Sequence, residues 1–85
     1  MRLILSSNFQ RKLDKLLQKE PQLKNRINKT FRFMLSDLNY PALRLHKLSG
    51  TNIWSVSVDM ENRIIFSWEK DGLFLLDIGS HDEVY

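Results

Sequence analysis

Cysteine is absent from this chain of 85 residues, and glycine and proline are scarce, with three and two residues. Without cysteine, the chain can form neither a disulfide framework nor a thiolate metal site, and nothing in it favours an oxidising compartment. Long hydrophobic runs are missing too, because the N-terminal apolar stretch spans only Leu3 to Leu5, too short for a signal peptide or a membrane span. We therefore expect a cytoplasmic protein with a single domain over residues 1–85.

Basic residues are nearly absent from the second part of the chain. Residues 51–85 hold only Arg63 and Lys70 against seven acidic residues, whereas residues 1–50 hold eleven Lys or Arg against three acidic residues. Such a basic region is typical of proteins that bind a polyanion, most often a nucleic acid. Solvated helix surfaces rich in lysine would explain the same pattern without any ligand.

Two helices are predicted in the basic region. Ser6, Ser7 and Asn8 offer N-caps for the first helix, Pro21 suits the first turn of the second, and Tyr40 before Pro41 is unfavourable for a helix. Apolar residues at helical spacing support both helices. They are Phe9, Leu13, Leu16 and Leu17 in the first, and Leu23, Ile27, Phe31, Met34 and Leu35 in the second.

Alternating apolar residues predict strands around this helical hairpin. One strand precedes it, over residues 1–5, and four follow it, over residues 43–48, 53–59, 63–69 and 73–78. The predicted order is βααββββ. The fold class is α+β, with an N-terminal strand, a helical hairpin and a four-stranded antiparallel sheet whose one face the helices cover.

The pairing of the last three strands can be predicted from the need for one apolar face. Loops of three residues at 60–62 and 70–72 pair apolar residues in both hairpins. The pairs are Val58 with Ile64, Val56 with Phe66, Trp54 with Trp68, Trp68 with Phe74, Phe66 with Leu76, and Ile64 with Ile78. Arg63 then lies across from Gly79 and Asp59 on the small, polar opposite face. If the last strand continues as extended chain, His81, Glu83 and Tyr85 project to the Arg63 side, and Asp82 and Val84 point away.

These polar residues fit acid-base cleavage of RNA by its own 2′-hydroxyl group. That reaction needs a proton acceptor, a proton donor for the leaving 5′-oxygen, and cations against the phosphorane charge. His81 can exchange protons near neutral pH, Arg63 can hold a phosphate, and Tyr85 can stack on a base or donate its phenolic proton. No spacing in the sequence is typical of a metal site.

Each candidate residue also has an ordinary structural explanation. Arg63 could form a cross-strand ion pair with Asp59, His81 could be a solvated histidine near a terminus, and Tyr85 could pack against the sheet. His46 and Lys47 could be exposed residues. Phe33 falls off the apolar stripe of its helix, which is compatible either with a partner surface or with the ordinary scatter of apolar residues on surfaces.

Four segments of the chain resemble the RelE/ParE superfamily of bacterial toxins, and the C-terminal half resembles the RelE, YafQ and YoeB branch. The segments are His46-Lys47-Leu48-Ser49-Gly50, Trp54-Ser55-Val56, Arg63-Ile64-Ile65-Phe66 and residues 77–85. The resemblance implies a toxin of a type II toxin-antitoxin pair that cuts messenger RNA on the ribosome without a cofactor or metal. Its implied partners are a cognate antitoxin protein, the ribosome and mRNA.

The resemblance also implies site residues. It places His46, Arg63, His81 and Tyr85 at the catalytic site, and Arg44, Lys47 and Asp82 as substrate-binding candidates. Branch members differ in their catalytic residues, and here no acidic residue stands at position 46. Either histidine could therefore be the general base and the other the general acid.

Two other functions are compatible with the sequence. A ParE-like toxin of the same fold would inhibit DNA gyrase and need no nucleolytic residues, although the cluster of polar residues on the sheet disfavours it. A non-enzymatic nucleic-acid-binding module would use the basic helices alone, and its activity would not depend on His81.

Overall fold

The computed structural model describes residues 1–84, so that Tyr85 lies outside the described residues. Its helices are α1 (Ser7–Lys19), α2 (Lys24–Ser36) and a single final turn, α3 (His81–Val84). Its strands are β1 (Arg2–Leu5), β2 (His46–Lys47), β3 (Ile53–Ser57), β4 (Asn62–Glu69) and β5 (Gly72–Ser80), and 3₁₀ turns span Pro21–Leu23 and Pro41–Leu43. The predicted order of elements is confirmed, with α3 added at its end. None of the helices in residues 1–84 is long and apolar enough to cross a membrane.

Local sequence sets the ends of the helical hairpin. Ser6 is the N-cap of α1, since its Oγ accepts a hydrogen bond from the backbone N–H of Phe9 at 3.0 Å. Pro21 stands at the start of the 3₁₀ turn that leads into α2, where its missing N–H costs nothing. Phe9 and Phe31 join the two helices, with ring centroids 6.3 Å apart.

The sheet has five strands in the order β1-β5-β4-β3-β2. Strands β2 to β5 form the predicted antiparallel sheet, and β1 adds a fifth strand by pairing in parallel with the N-terminal part of β5. The predicted four-stranded antiparallel sheet thus did not include β1, which forms one edge of the sheet. Parallel pairing of sequence-distant strands needs a long connection, which here contains the helical hairpin and the rest of the sheet.

The core lies between the helices and one face of the sheet. Its fully buried side chains include Phe9 from α1, Ile27 and Met34 from α2, and Val56 and Phe66 from the central strands. Burying side chains of this size stabilises the fold by about 1.5–3 kcal/mol each.

The β3–β4 pairing differs from the prediction by two residues. Trp54 pairs with Phe66, and Ser57, not Asp59, pairs with Arg63. The difference arises in the loop between the two strands. There Asp59 Oδ1 accepts hydrogen bonds from the backbone N–H groups of Glu61 and Asn62, so Asp59 belongs to the turn and does not pair with Arg63. A shift of two residues preserves alternation, so the faces of β3 and β4 were predicted correctly.

The β4–β5 pairing follows the prediction only at its C-terminal end. Arg63 pairs with Gly79 and Ile64 with Ile78, but the register shifts between Ile65 and Phe66. This bulge places Phe66 across from Leu75 and leaves Leu76 as the extra residue. Beyond the bulge the predicted pairs are wrong, and Leu73 and Leu75, not Phe74 and Leu76, are fully buried.

Candidate active site

A cleft of about 560 Å³ lies at one end of the sheet and contains four of the predicted site residues. Arg44 and His46 come from β2 and the turn before it, Arg63 from β4 and His81 from α3. Together with Leu48 they line the cleft. Residues separated by up to 37 positions in the chain therefore meet around one space.

Arg63 is held in this cleft by hydrogen bonds. Its Nη2 atom donates to Ser55 Oγ at 2.9 Å and to the backbone carbonyl oxygen of Arg44 at 3.3 Å. Ser55 is completely buried and pairs with His46 in the β2–β3 ladder. The Arg63 guanidinium thus bridges β3 and the segment before β2. The predicted ion pair between Arg63 and Asp59 does not form, because the Asp59 carboxylate accepts hydrogen bonds within the β3–β4 loop instead.

The backbone at Arg44 takes an unusual conformation, with φ 49° and ψ 51° in the left-handed region. This region costs a non-glycine residue about 1–2 kcal/mol. The turn over Pro41–Leu43 ends here, and strand β2 begins two residues later at His46. The predicted strand over 43–48 is thereby reduced to His46–Lys47, and the Arg44 carbonyl is presented to Arg63.

The C-terminal segment is helical, which corrects the predicted extended strand. The N–H of Ser80 donates to Glu83 Oε1 at 2.9 Å, and Ser80 Oγ accepts from the N–H of Glu83 at 3.3 Å. This reciprocal pair is a capping box. Glu83 consequently folds back against Gly79, where an added Cβ would lie 3.2 Å from the Glu83 Cβ. His81, the first residue of the turn, still reaches the cleft.

The capping box also affects the charge of Glu83. The hydrogen bond from the Ser80 backbone lowers the pKa of the Glu83 carboxyl below its ordinary value, with a smaller contribution from the Ser80 side chain. Hydrogen bonds to a carboxylate favour its charged form. Glu83 is therefore an anion throughout the neutral pH range, and its carboxylate supports the turn that presents His81.

The other predicted site residues lie elsewhere. The Lys47 Nζ atom is 5.6 Å from the ring centroid of Trp54, its partner in the ladder, and Lys47 is not among the residues that line the cleft. Asp82 is an exposed residue of α3 that is likewise not part of the lining. Tyr85 lies outside the described residues.

Two features of the site were not predicted. Ser55 alternates with the predicted apolar positions Trp54 and Val56 and therefore belongs to the polar face of β3, but it was given no role. Its contact with Arg63 depends on a diagonal distance that alternation alone does not give. The capping box was missed although Ser80 and Glu83 have the Ser-x-x-Glu spacing that indicates one. The apolar run before it was read as a strand that continued to the end of the chain.

The cleft favours an anion. Two guanidinium groups and two imidazoles line it, and no carboxylate is found among the described lining residues. Within residues 1–84, no group of three or more His, Cys, Asp or Glu side chains is placed to hold a metal ion. Imidazoles beside guanidinium groups can exchange protons with a phosphate ester while the guanidinium groups bind its oxygens.

No protein-family model and no curated protein sequence matches this chain. Solved structures of toxins, however, share its fold over nearly the whole chain. A mutant toxin from Helicobacter pylori, solved with copper bound, is 26% identical, with a TM-score of 0.78 over 100% of this chain and 99% of that one. YafQ from E. coli is 18% identical, with a TM-score of 0.81 and the same coverage. A YoeB/ParE toxin from Agrobacterium tumefaciens is 16% identical, with a TM-score of 0.79 over 95% of this chain and 99% of that one.

These similarities agree with the fold that the resemblance in the sequence implies. They cover β1, the helical hairpin and the sheet together, since at least 95% of this chain is matched in each case. The chain therefore has the fold of the RelE/ParE superfamily of toxins.

Proposed function

We propose that this protein is the toxin of a type II toxin-antitoxin system and a ribosome-dependent, metal-independent mRNA endoribonuclease. The observation that carries the proposal is the cleft in which His46, Arg63 and His81 meet beside Arg44. The fold alone would not favour a nuclease, because the same fold serves toxins with other targets.

The proposed reaction uses the 2′-hydroxyl group of the RNA as nucleophile. One imidazole removes its proton while the 2′-oxygen attacks phosphorus, and the other imidazole gives a proton to the 5′-oxygen as the P–O5′ bond breaks. The products are a 2′,3′-cyclic phosphate and a 5′-hydroxyl end. Either His46 or His81 can be the base in this scheme. Arg63 and Arg44 stabilise the negative charge that grows on the phosphorane oxygens.

Three further residues are candidates for roles in the proposal. Tyr85, next in sequence to α3, would stack on a base or donate its phenolic proton. Lys47 and Asp82 are weaker candidates for substrate contact, because neither lines the cleft. The basic residues of α1 and α2 would face ribosomal RNA in the cytoplasm, and this contact should weaken as salt rises.

A cognate antitoxin is the proposed protein partner. The structure of YafQ from E. coli has been solved in complex with DinJ. In that complex YafQ is 19% identical to this chain, and its fold matches with a TM-score of 0.80. Co-expression of the antitoxin should restore growth to cells that produce this protein.

The decisive experiment is primer extension on a reporter message after induction, comparing wild type with Arg63→Ala and His81→Ala. We expect sharp cuts within the reading frame for wild type and a loss of about a hundred- to ten-thousand-fold for His81→Ala, as is typical of a missing general acid or base. Lys70→Ala is the matched control for Arg63→Ala, because Lys70 is exposed at the β4–β5 turn and outside the cleft.

The alternatives give different results in the same experiment. If both cleft variants remain fully toxic and DNA supercoiling is lost instead, the gyrase inhibitor is correct. If the variants still bind nucleic acid and arrest growth without any cleavage by wild type, the protein is a binding module. Cleavage that leaves a cyclic phosphate at the cut ends and that persists when a chelator is added would support the proposed chemistry.

A further inference from the structure

A second concave site lies on the side of α2, outside the cleft. It is a groove of about 420 Å³ between α2 and the segment that follows it, and we call it the α2 groove. Thr30, Leu43 and Val58 are buried at its floor. Its rim is formed by Gln22, Asn25, Arg26, Lys29, Phe33 and Tyr40.

The rim carries positive charge only, as far as the described residues show. Arg26 and Lys29 lie three positions apart on α2, and no carboxylate is among the lining residues. Arg26 Nη1 donates to the carbonyl oxygen of Val58 at 3.4 Å, so the guanidinium lies along the wall of the groove. Arg26 also borders a neighbouring hollow lined by Glu20, Asp59 and Glu61, so Lys29 is the stronger candidate to meet a phosphate or another anionic group.

The rim also carries a stacked aromatic pair. The rings of Phe33 and Tyr40 are 4.0 Å apart between centroids and only 5° from parallel, and Lys29 Nζ lies 5.9 Å from the Phe33 centroid. Tyr40 remains 38% exposed. Since Phe33 covers one face of the Tyr40 ring, another ring would stack on the opposite face.

We propose that the α2 groove binds one nucleotide of single-stranded RNA, with its base stacked on Tyr40 and its phosphate against Arg26 and Lys29. Aromatic rings beside cations are the usual means by which proteins hold single-stranded nucleic acid. An acidic peptide would use the two cations but would gain little from the stacked pair. The amides of Gln22 and Asn25 add donors and acceptors for the edge of a base.

Residues of the α2 groove neighbour residues of the cleft in sequence and in the sheet, which favours RNA as the occupant. Ala42 and Leu43 line the groove and lead directly to Arg44 of the cleft. Ser57, which also lines the groove, pairs with Arg63. One RNA strand can therefore occupy both sites, so that the groove holds the strand while the cleft cuts it. This role rests on the proposed nuclease function, whereas the binding site itself does not.

The test measures binding of a short, fluorescently labelled 2′-O-methyl RNA by anisotropy, because this RNA lacks the hydroxyl group needed for cleavage. We expect Tyr40→Ala to weaken binding by about fivefold or more, the lower end of the effect of losing one base–aromatic stack. Tyr40→Phe keeps the ring and should bind like wild type. Circular dichroism verifies that each variant is folded.

A charge pair of variants tests the phosphate contact. Lys29→Gln should reduce the slope of log affinity against log salt by about 0.7, the value for one phosphate contact on a single strand. Lys24→Gln is the matched control, because Lys24 is an exposed lysine of α2 that does not line the groove. The salt dependence of RNA binding should change less in Lys24→Gln than in Lys29→Gln.

Two outcomes would overturn the proposal. One is equal RNA affinity for Tyr40→Ala and wild type. The other is that an oligoglutamate peptide binds the groove and RNA does not, which would make the site a protein interface. Lys70→Ala, at a residue outside both sites, should leave binding of the modified RNA intact. Binding that depends on Tyr40 without any cleavage by wild type would support the groove but not the nuclease function. Cleavage by wild type with equal RNA affinity for Tyr40→Ala and wild type would support the nuclease function but not the groove.

Discussion

At the scale of single residues, the cleft depends on a backbone carbonyl as much as on charged side chains. Arg44 contributes both, because its carbonyl oxygen accepts from Arg63 and its side chain lines the cleft. This carbonyl accepts from Arg63 while the Arg44 backbone is in the left-handed conformation. Such strained positions concentrate at functional sites, where the surrounding structure maintains them.

Replacing Arg44 with glycine separates these two contributions. Glycine adopts the left-handed conformation without strain, so Arg44→Gly should stay within about 1 kcal/mol of the wild-type free energy of unfolding while the carbonyl remains in place. Loss of a charged contact to the phosphate should reduce cleavage by about tenfold or more. Chemical denaturation and a cleavage assay measure the two effects. Unchanged cleavage would show that only the carbonyl matters.

The Glu83 carboxylate makes α3 sensitive to acid. Because the folded state lowers the pKa of Glu83, its stabilising effect is complete above the carboxyl pKa of the unfolded chain and is lost as pH falls through the lower pKa of the folded state. NMR spectra recorded during an acid titration should show the Ser80 amide shifting together with the Glu83 carboxyl carbon. In Glu83→Gln, which keeps an acceptor but does not titrate, the Ser80 amide shift should be absent.

At the scale of elements, alternation predicted which face each residue of β3 and β4 occupies, but not the pairings. The loop between these strands closes through the Asp59 carboxylate, and the bulge at Leu76 changes the register within β5. The Asp59 turn is a local feature that alternation does not encode, whereas the bulge depends on tertiary contacts between strands. Parallel pairing of β1 was missed for the same reason, since it joins residues about 70 positions apart.

The residues of the candidate site also divide into those that the sequence predicted and those that it did not. Arg63 and His81 were predicted from the sheet face that they share and His46 from the resemblance, and the structure brings these three together. Ser55 was missed because its role follows from a diagonal contact with Arg63. The α3 turn was missed because the apolar pattern of β5 was extended past Ser80, although the Ser80 and Glu83 spacing indicates a helix start.

Glycine at position 72 allows β1 to join the sheet. A Cβ added to Gly72 would lie 2.5 Å from the carbonyl oxygen of Arg2, its partner in β1. Gly72→Ala should therefore displace the start of β1 and reduce the free energy of unfolding by about 1–3 kcal/mol, the usual cost of overpacking. Hydrogen exchange should show faster exchange in β1 than in β3. Asp71→Ala, one residue earlier and exposed, should change stability by less than about 0.5 kcal/mol.

At the scale of the whole molecule, one small core supports both the cleft and the α2 groove. A domain of this length has a free energy of unfolding of about 4–13 kcal/mol. Phe9 is fully buried and contacts Phe31, so it connects α1, α2 and the sheet. Loss of a single such side chain is therefore large relative to the total.

Phe9→Ala should lower the free energy of unfolding by about 3–5 kcal/mol, the usual effect of truncating a buried phenylalanine. Because cleft and groove share this core, RNA binding and cleavage should be lost together as the variant unfolds, whereas His81→Ala should remove cleavage without unfolding the protein. Leu35→Ala is the control, since Leu35 is a 49% exposed residue of α2 whose loss should cost little. Chemical denaturation followed by tryptophan fluorescence measures the change, because Trp54 and Trp68 pack against the core. A wild-type denaturation curve for Phe9→Ala would contradict the assignment of the helix–sheet interface as the main source of stability, and with it the expectation that both sites depend on one cooperative unit.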